Sequence, residues 1–375
     1  MNPQAVIANA RKDMSFFSWF FLPHHIQLKF SIPQFHLDSY RQFMQGHKRM
    51  VWIEPREFAK TTRSCLVVPL HGLVFGYYKF VIICSESFNL ASVWLNTIKD
   101  ECETNETIRK YFGPLKPTKT YSGEGDSKWS TGDIILTNNS RVMARGTGQR
   151  VRGMKWKAWR PDLIVVDDPE SHINAQTPEQ RAKNMRWLNS EVLPAMDSER
   201  GRILVTGNYI ISDCMTERLY MTSQMDNSTW ASQKHAAINP DGTPLWPERH
   251  SIAALNERKR DLESRGDFLT FPREYMNDPL PESEVRFTKD DMKFWRGITL
   301  YADNQVYLKI TERGGYSDKY AITPDYETVR GREEVFPVSV GIGVDLAISE
   351  SELRDATVVT VGARNAEGET YELET

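Results

Sequence analysis

Three short apolar runs do most to restrict the folds open to this chain. "KFVIICSE" (79–86), "DLIVVDD" (162–168) and "GRILVTGN" (201–208) are each continuous and rich in β-branched residues. Runs of that kind read as strands buried on both faces, because a strand with one wet face alternates instead. Helical spacing fills the intervals, from Lys60 towards the first run and again in "TPEQRAKNMRWLNSEVLPAM" (177–196), which opens on Thr177 with Glu179 close behind. Strands alternating with helices predict a mainly parallel sheet covered on both faces. "STGDIILTNNSRVMARGTG" alternates and turns at Asn138-Asn139, which predicts a hairpin inserted between the parallel strands.

With 375 residues the chain is long enough for two domains or one large one with an appendage. A net charge of -3 excludes a polycation, so any grip on nucleic acid has to come from a local patch. The four cysteines, Cys65, Cys84, Cys102 and Cys214, lie too far apart for a paired zinc or disulfide pattern and fit a reducing cytosol. "RKDMSFFSWFFLPHH" has basic residues ahead of a brief apolar run but no small-residue cleavage site, and reads as an aromatic packing segment. No run approaches the roughly 20 apolar residues of a membrane span. Between about 276 and 335 the composition turns to proline, glycine and charge, which predicts a linker with irregular structure. Three strands then follow from "VFPVSVGIGVDLAIS" onward, too few for a stable domain unless they pack on the first or the chain is cut short.

Chemistry concentrates where the strands end. In "EPREFAKTT", Lys60 and Thr61 stand as in a phosphate-binding loop, where backbone N–H groups and a lysine hold the anion and a hydroxyl reaches Mg²⁺. Glu54 and Ala59 occupy the places where such loops carry glycine, and a solvated lysine at a helix entry is the plainer reading of the pair alone. "LIVVDDPES" sets Asp167 and Asp168 at a strand's C-terminal end, the edge at which parallel sheets bind ligands, although they could equally cap the next helix. "TGN" brings Thr206 and Asn208 to the same edge, as a phosphate sensor or as a turn. "SRVMARGTGQRVRGMKWKAWR" carries seven basic residues and no acidic one, with glycines that let backbone approach a phosphate. It suits an arginine finger for a neighbouring subunit or a contact to a DNA backbone.

The ordered set "PREFAKTT", "RPDLIVVDDPE", "ILVTGN" and "FPREYMNDPL", followed by "GVDLAIS", resembles the large terminase subunit of tailed bacteriophages from about residue 25 to the end. The resemblance implies a P-loop ATPase domain of the additional-strand (ASCE) type with a mainly parallel sheet, followed by the first strands of a ribonuclease H-like nuclease. It divides the chain into an N-terminal and adenine-side segment (1–50), an ATPase core (51–275), a linker (276–335) and an incomplete nuclease (336–375). The implied function is an ATP-driven motor moving double-stranded viral DNA into a procapsid. A helicase or remodelling ATPase and a non-hydrolysing assembly protein of the same fold are the alternatives.

Residue by residue, the resemblance makes Lys60 a nucleotide ligand within the loop Arg56, Glu57, Phe58, Ala59, Lys60, Thr61 and Thr62, with Arg56 as a second cation on the phosphates. Asp167 and Thr61 would hold Mg²⁺, Asp168 takes the catalytic acid position, and Glu170 competes with it. Thr206, Gly207 and Asn208 match the coupling motif, and the finger is to be found among Arg145, Arg150 and Arg152, with Arg152 placed first. Gln34 and His36 fall in the adenine-side segment. Asp345 matches the nuclease's first metal-binding acid; Asp355 assists it or is a turn residue. The remaining nuclease acids should lie beyond residue 375, so a chain ending there is expected not to cut DNA, with Mg²⁺ or Mn²⁺. The implied partners are duplex DNA, a portal protein, the small terminase subunit and further copies in a ring, in the cytoplasm of an infected bacterium and away from any membrane.

Overall fold

The computed structural model describes residues 2–26, 31–118, 128–278, 294–303, 305–315, 325–328, 334–345, 358–366 and 370–374. The chain falls into two compact units, Met1–Pro281 and Glu282–Thr375. In the first, strands β1 (Arg49–Ile53), β2 (Phe80–Ser85), β3 (Asp133–Ile135), β4 (Arg141–Gly146), β5 (Leu163–Asp167), β6 (Arg202–Gly207) and β7 (Trp230–Lys234) form one sheet. Its order is β3-β4-β2-β5-β6-β1-β7, and β3 alone runs antiparallel. The first unit is therefore mixed α/β with a mainly parallel sheet, and the expected hairpin is β3–β4.

The apolar runs are continuous because each strand feeds two cores. Val81, Ile83, Leu163, Val165, Leu204 and Trp52 join one cluster, whereas Ile82, Cys84, Ile164, Val166, Val205 and Ile53 join the cluster on the opposite face. Helices cover both faces: α1 (Pro3–Lys12), α2 (Met14–Phe21), α3 (Pro23–Ile26), α4 (Gln34–Met44), α5 (Val68–Val74), α6 (Phe88–Thr104), α7 (Glu106–Phe112), α8 (Pro178–Trp187), α9 (Met215–Ser223) and α10 (Ile252–Ser264). The aromatic segment near the N-terminus is α2, whose Phe17 and Phe21 are fully buried in the first cluster. Thr177 caps α8 as expected, with Gln180 rather than Glu179 reaching back to complete the cap. Among the described residues no helix is long and apolar enough to cross a membrane.

Strand order places the site. Strand β6 lies between β1 and β5, and the register aligns Trp52 with Thr206 and Thr206 with Asp167. The loop that leaves β1, the acids that end β5 and the polar residues that end β6 thus emerge side by side at one sheet edge.

The second unit departs from the expected linker. Strands β8 (Phe294–Ala302) and β9 (Gln305–Gly315) pair antiparallel, and β10 (Asp325–Thr328), β11 (Glu334–Asp345), β12 (Val358–Arg364) and β13 (Thr370–Glu374) complete a six-stranded sheet. Residues 294–302 and 305–315 are therefore strand where irregular structure was predicted. Proline and charge on either side masked an alternating "ITLYADNQVYLKI" in which Ala302 pairs with Gln305 across a two-residue connection. The three C-terminal strands consequently have three antiparallel companions and a small core of Leu308, Ile310, Val338, Ala363 and Tyr371.

Candidate active site

The segment joining β1 to the next helix turns sharply without glycine. Glu57 and Ala59 have φ of 71° and 63°, the left-handed region that costs a residue with a Cβ about 1–2 kcal/mol. Packing holds them there. Phe58 is fully buried among Phe35, Trp246, Phe271 and Tyr275, and its carbonyl accepts a hydrogen bond from His36 Nε2 at 2.9 Å. Burial, with the Arg63 guanidinium nearby, keeps the His36 pKa well below the usual imidazole value, so the ring stays neutral with its proton on Nε2. Glu54, at the first missing glycine, sends its side chain inward onto Arg63, and both are buried. The guanidinium also lies 5.4 Å from the Trp52 ring and 5.6 Å from that of Phe35.

Beyond Ala59 the backbone enters a helical segment that continues with wide turns over Thr62–Val67 into α5. Lys60, 6% exposed, donates from Nζ to Asp168 Oδ1 at 2.7 Å and to Asn208 Oδ1 at 2.5 Å. Burial opposes its charge, but Asp168 and Asp167 outweigh that and hold its pKa above the ordinary lysine value. Asp167 is buried beneath, its Oδ1 accepting from Thr206 Oγ1 at 2.5 Å and Ser64 Oγ at 3.4 Å. Burial, with the like charge of Asp168, pushes the Asp167 carboxyl up to about 7 against the pull of Lys60 and hydrogen bonds from Thr206 and Thr61. A divalent cation fits this donor set, a buried carboxyl beside the Thr61 hydroxyl.

A pH dependence follows from that carboxyl. Below about 7 Asp167 carries a proton that must leave before a cation can bind. Divalent-cation affinity is expected to level off above about 7 and to fall as pH drops, approaching tenfold per unit. Titrating Mg²⁺ over a pH series checks this; a flat profile through 7 would show that Asp167 is not the ligand.

The cleft around Lys60 has a volume of about 670 Å³, within the range of small-ligand sites. Arg56, Glu57, Ala59, Thr61, Thr62, Asp168, Glu170 and Asn208 line it with Lys60. Phe58 does not, serving as the buried anchor. Gln34 and His36 do not line it either: Gln34 is exposed and bonded to Asp38, and His36 braces the loop from behind. Arg56 pairs with Glu274 at 3.7 Å and is largely exposed, so its guanidinium is free to turn inward. Glu170 has both oxygens engaged, accepting from Asn184 Nδ2 at 3.1 Å and from the Met215 N–H that opens α9 at 2.5 Å. Burial holds its pKa above the usual value.

Arg145, Arg150 and Arg152 lie apart from the cleft. Arg145 and Arg150 line a separate depression with Phe88, Gln149 and Met154, while Arg152 is exposed. Asp345 closes β11, its backbone opposite Val358, and Asp355 lies outside the described residues. Sequence reading missed Arg249, His25 and His172, which also line the cleft. Arg249 lies 5.2 Å from the Trp246 ring, just ahead of the Ser251 cap of α10. An arginine beside a helix cap carries no signal of its own.

Gly207 is required by contact. A Cβ there would come 2.8 Å from Thr216 Cγ2, and Thr216 Oγ1 donates to the Asn208 carbonyl at 2.9 Å. Gly207→Ala is expected to cost about 1–3 kcal/mol of stability and to loosen Asn208 from Lys60. Chemical denaturation checks the cost; a variant as stable as the parent would show that α9 yields freely.

No family model and no curated protein matches the chain. Among solved structures, a variant of the large terminase ATPase domain from Thermus phage P74-26 aligns with 68% of this chain and 96% of its own, at 13% identity and a TM-score of 0.44. The large terminase of bacteriophage HK97 aligns with 82% of this chain at 13% identity and a TM-score of 0.44, and the chain spans 63% of that protein's length. A large terminase from a thermophilic bacteriophage, in complex with ADP, aligns with 78% of this chain and 64% of its own, at 6% identity and a TM-score of 0.34. At such identities and scores these are likenesses of chain trace alone.

Proposed function

We propose that the first unit binds and hydrolyses ATP and uses the energy to move double-stranded DNA into a procapsid. The observation that carries this reading is the convergence of Lys60, the Asp167–Asp168 pair and Asn208, from three separate loops, within hydrogen-bond reach at one sheet edge. The left-handed turns at Glu57 and Ala59 support it, since they give a glycine-free segment the backbone course of a phosphate loop.

Each residue then has a task. Lys60 exchanges Asp168 for the β- and γ-phosphates, with Arg56 and Arg249 adding positive charge from the cleft walls. Thr61 and Asp167 would hold Mg²⁺, which when bound neutralises developing phosphate charge. Asp168, half-exposed in the cleft, orients the attacking water once the lysine has turned to phosphate. Glu170 is the less suitable base because its oxygens already secure Asn184 and the start of α9. Arg145, Arg150 and Arg152 lie outside the cleft's lining, on and after a strand that ends at the same sheet edge, which suits a finger offered to the next copy in a ring or a contact to DNA.

Asn208 supplies the link to movement. Its Oδ1 accepts from Lys60, while its Nδ2 donates to the Glu274 carbonyl, which also receives the Arg56 N–H at 2.8 Å. A change at the phosphate is thereby felt in the Pro272–Met276 turn. For the second unit, the antiparallel β11–β12–β13 run with Asp345 at a strand end supports the opening of a ribonuclease H-like nuclease. Portal protein, small subunit and a ring of copies complete the proposed setting. Steady-state ATP turnover with and without duplex DNA tests the motor reading: DNA-stimulated hydrolysis is expected, and binding without turnover would favour the non-hydrolysing alternative.

A further inference from the structure

Where the N-terminal helices meet α6, three metal-ligating side chains converge. His24 and His25 lie in the short turn α3, and Glu101 lies near the end of α6. His24 Nε2 is 2.7 Å and His25 Nε2 2.9 Å from the same carboxylate oxygen, Glu101 Oε1, and the three atoms lie within 4.8 Å of one another. The other oxygen, Oε2, accepts from Asn105 Nδ2 at 2.6 Å, and the same amide donates to the Phe21 carbonyl at 2.7 Å. Glu101 is thus held from behind, with Oε1 turned to both imidazoles. The carboxylate side is nearly buried, whereas His24 is half-exposed, and a cavity of about 250 Å³ opens beside them.

We propose that His24, His25 and Glu101 form a binding site for a transition-metal ion of the zinc class, with water completing the coordination. Two imidazole nitrogens and one carboxylate oxygen are the donor set of zinc sites that keep a position open. Nitrogen donors also select against Mg²⁺, which takes oxygen ligands. Zinc bonds of about 2.0–2.2 Å in tetrahedral array need the imidazoles to draw back from Oε1 by roughly half an ångström or slightly more. Asn105 plays the outer-shell part that fixes a ligating carboxylate. Because α3 precedes α4 while α6 follows β2, a bound ion would staple the N-terminal helices to the sheet's covering layer. His25 also lines the Lys60 cleft, so the staple would firm one of its walls.

The proposal does not depend on the nucleotide reading, and its test reads metal alone. The full chain, stripped with a chelator and held in excess Mg²⁺ to occupy oxygen-only sites, is titrated with Zn²⁺ by calorimetry and with Co²⁺ by visible absorption. The parent is expected to take up one tight equivalent and to give the absorption of a four-coordinate cobalt centre. His24→Ala, at a half-exposed position whose loss leaves the core intact, is expected to weaken that equivalent by at least about 100-fold, and Asn105→Ala by about 10–100-fold. Zn²⁺ should raise the Tm of the parent and not that of His24→Ala. Equal Zn²⁺ uptake by parent and His24→Ala, or none by the parent, would overturn the proposal and leave an imidazole–carboxylate hydrogen-bond cluster only.

Discussion

Replacing Lys60 with alanine is expected to lower ATP turnover by at least about 100-fold, the loss that follows removal of one preorganised donor to a developing anion. The ammonium touches Asp168 and Asn208 together and is coupled to Asp167, so its loss removes the cation that all three share. Without it the two aspartates face one another with their nearest cation gone. Asp167, already at about 7, is then expected to rise further, and Mg²⁺-dependent nucleotide affinity to fall with it. Lys60→Arg restores charge but not shape: a planar fork does not fit a pocket built for a point donor between Asp168 and Asn208. Turnover in that variant should therefore stay well below the parent. Phosphate release and nucleotide binding, measured on all three proteins, check both effects. Alanine at 60 with parental turnover would place hydrolysis elsewhere in the chain.

Glu54→Ala is expected to destabilise the first unit by about 3–5 kcal/mol, because it strands the Arg63 guanidinium in the core without its counter-charge. The surroundings cannot compensate. Arg63 Nε and NH1 already have no hydrogen-bond partner, and the rings of Phe35 and Trp52 offer only their faces. Removing both charges at once with Glu54→Leu and Arg63→Met should recover most of the loss, since an apolar pair of similar volume needs no desolvation of ions. A double-mutant cycle in denaturant reads this as a coupling energy of several kcal/mol. A single Glu54→Ala variant losing less than about 1 kcal/mol would show that Phe58 and His36 hold the loop unaided.

The same loop shows what could and could not be read beforehand. Lys60 and Thr61 were visible because their order is local, and the strands that end at Asp167 and Thr206 were visible because burial on both faces leaves an unbroken apolar run. Why the missing glycines are tolerated was not legible. It depends on Arg63 meeting Glu54, on His36 reaching Phe58 from another helix and on Trp246 arriving from almost 200 positions away. His36 was singled out for the adenine side, yet it serves the loop's backbone from behind, a difference of direction that spacing does not encode. Arg249 was missed for a similar reason, since only the fold brings it to the cleft. In the second unit, charge and proline in the surrounding sequence hid the β8–β9 hairpin although its apolar residues alternate.

The convergence at Lys60 is tested most directly by a structure of the chain with Mg²⁺ and a non-hydrolysable ATP analogue. The β- and γ-phosphates should lie within hydrogen-bond distance of Lys60 Nζ, with Asp168 released from the lysine, the metal beside Thr61 and Asp167, and Asn208 shifted relative to Glu274. Nucleotide density elsewhere, with the 2.7 Å contact between Lys60 and Asp168 intact, would contradict the assignment.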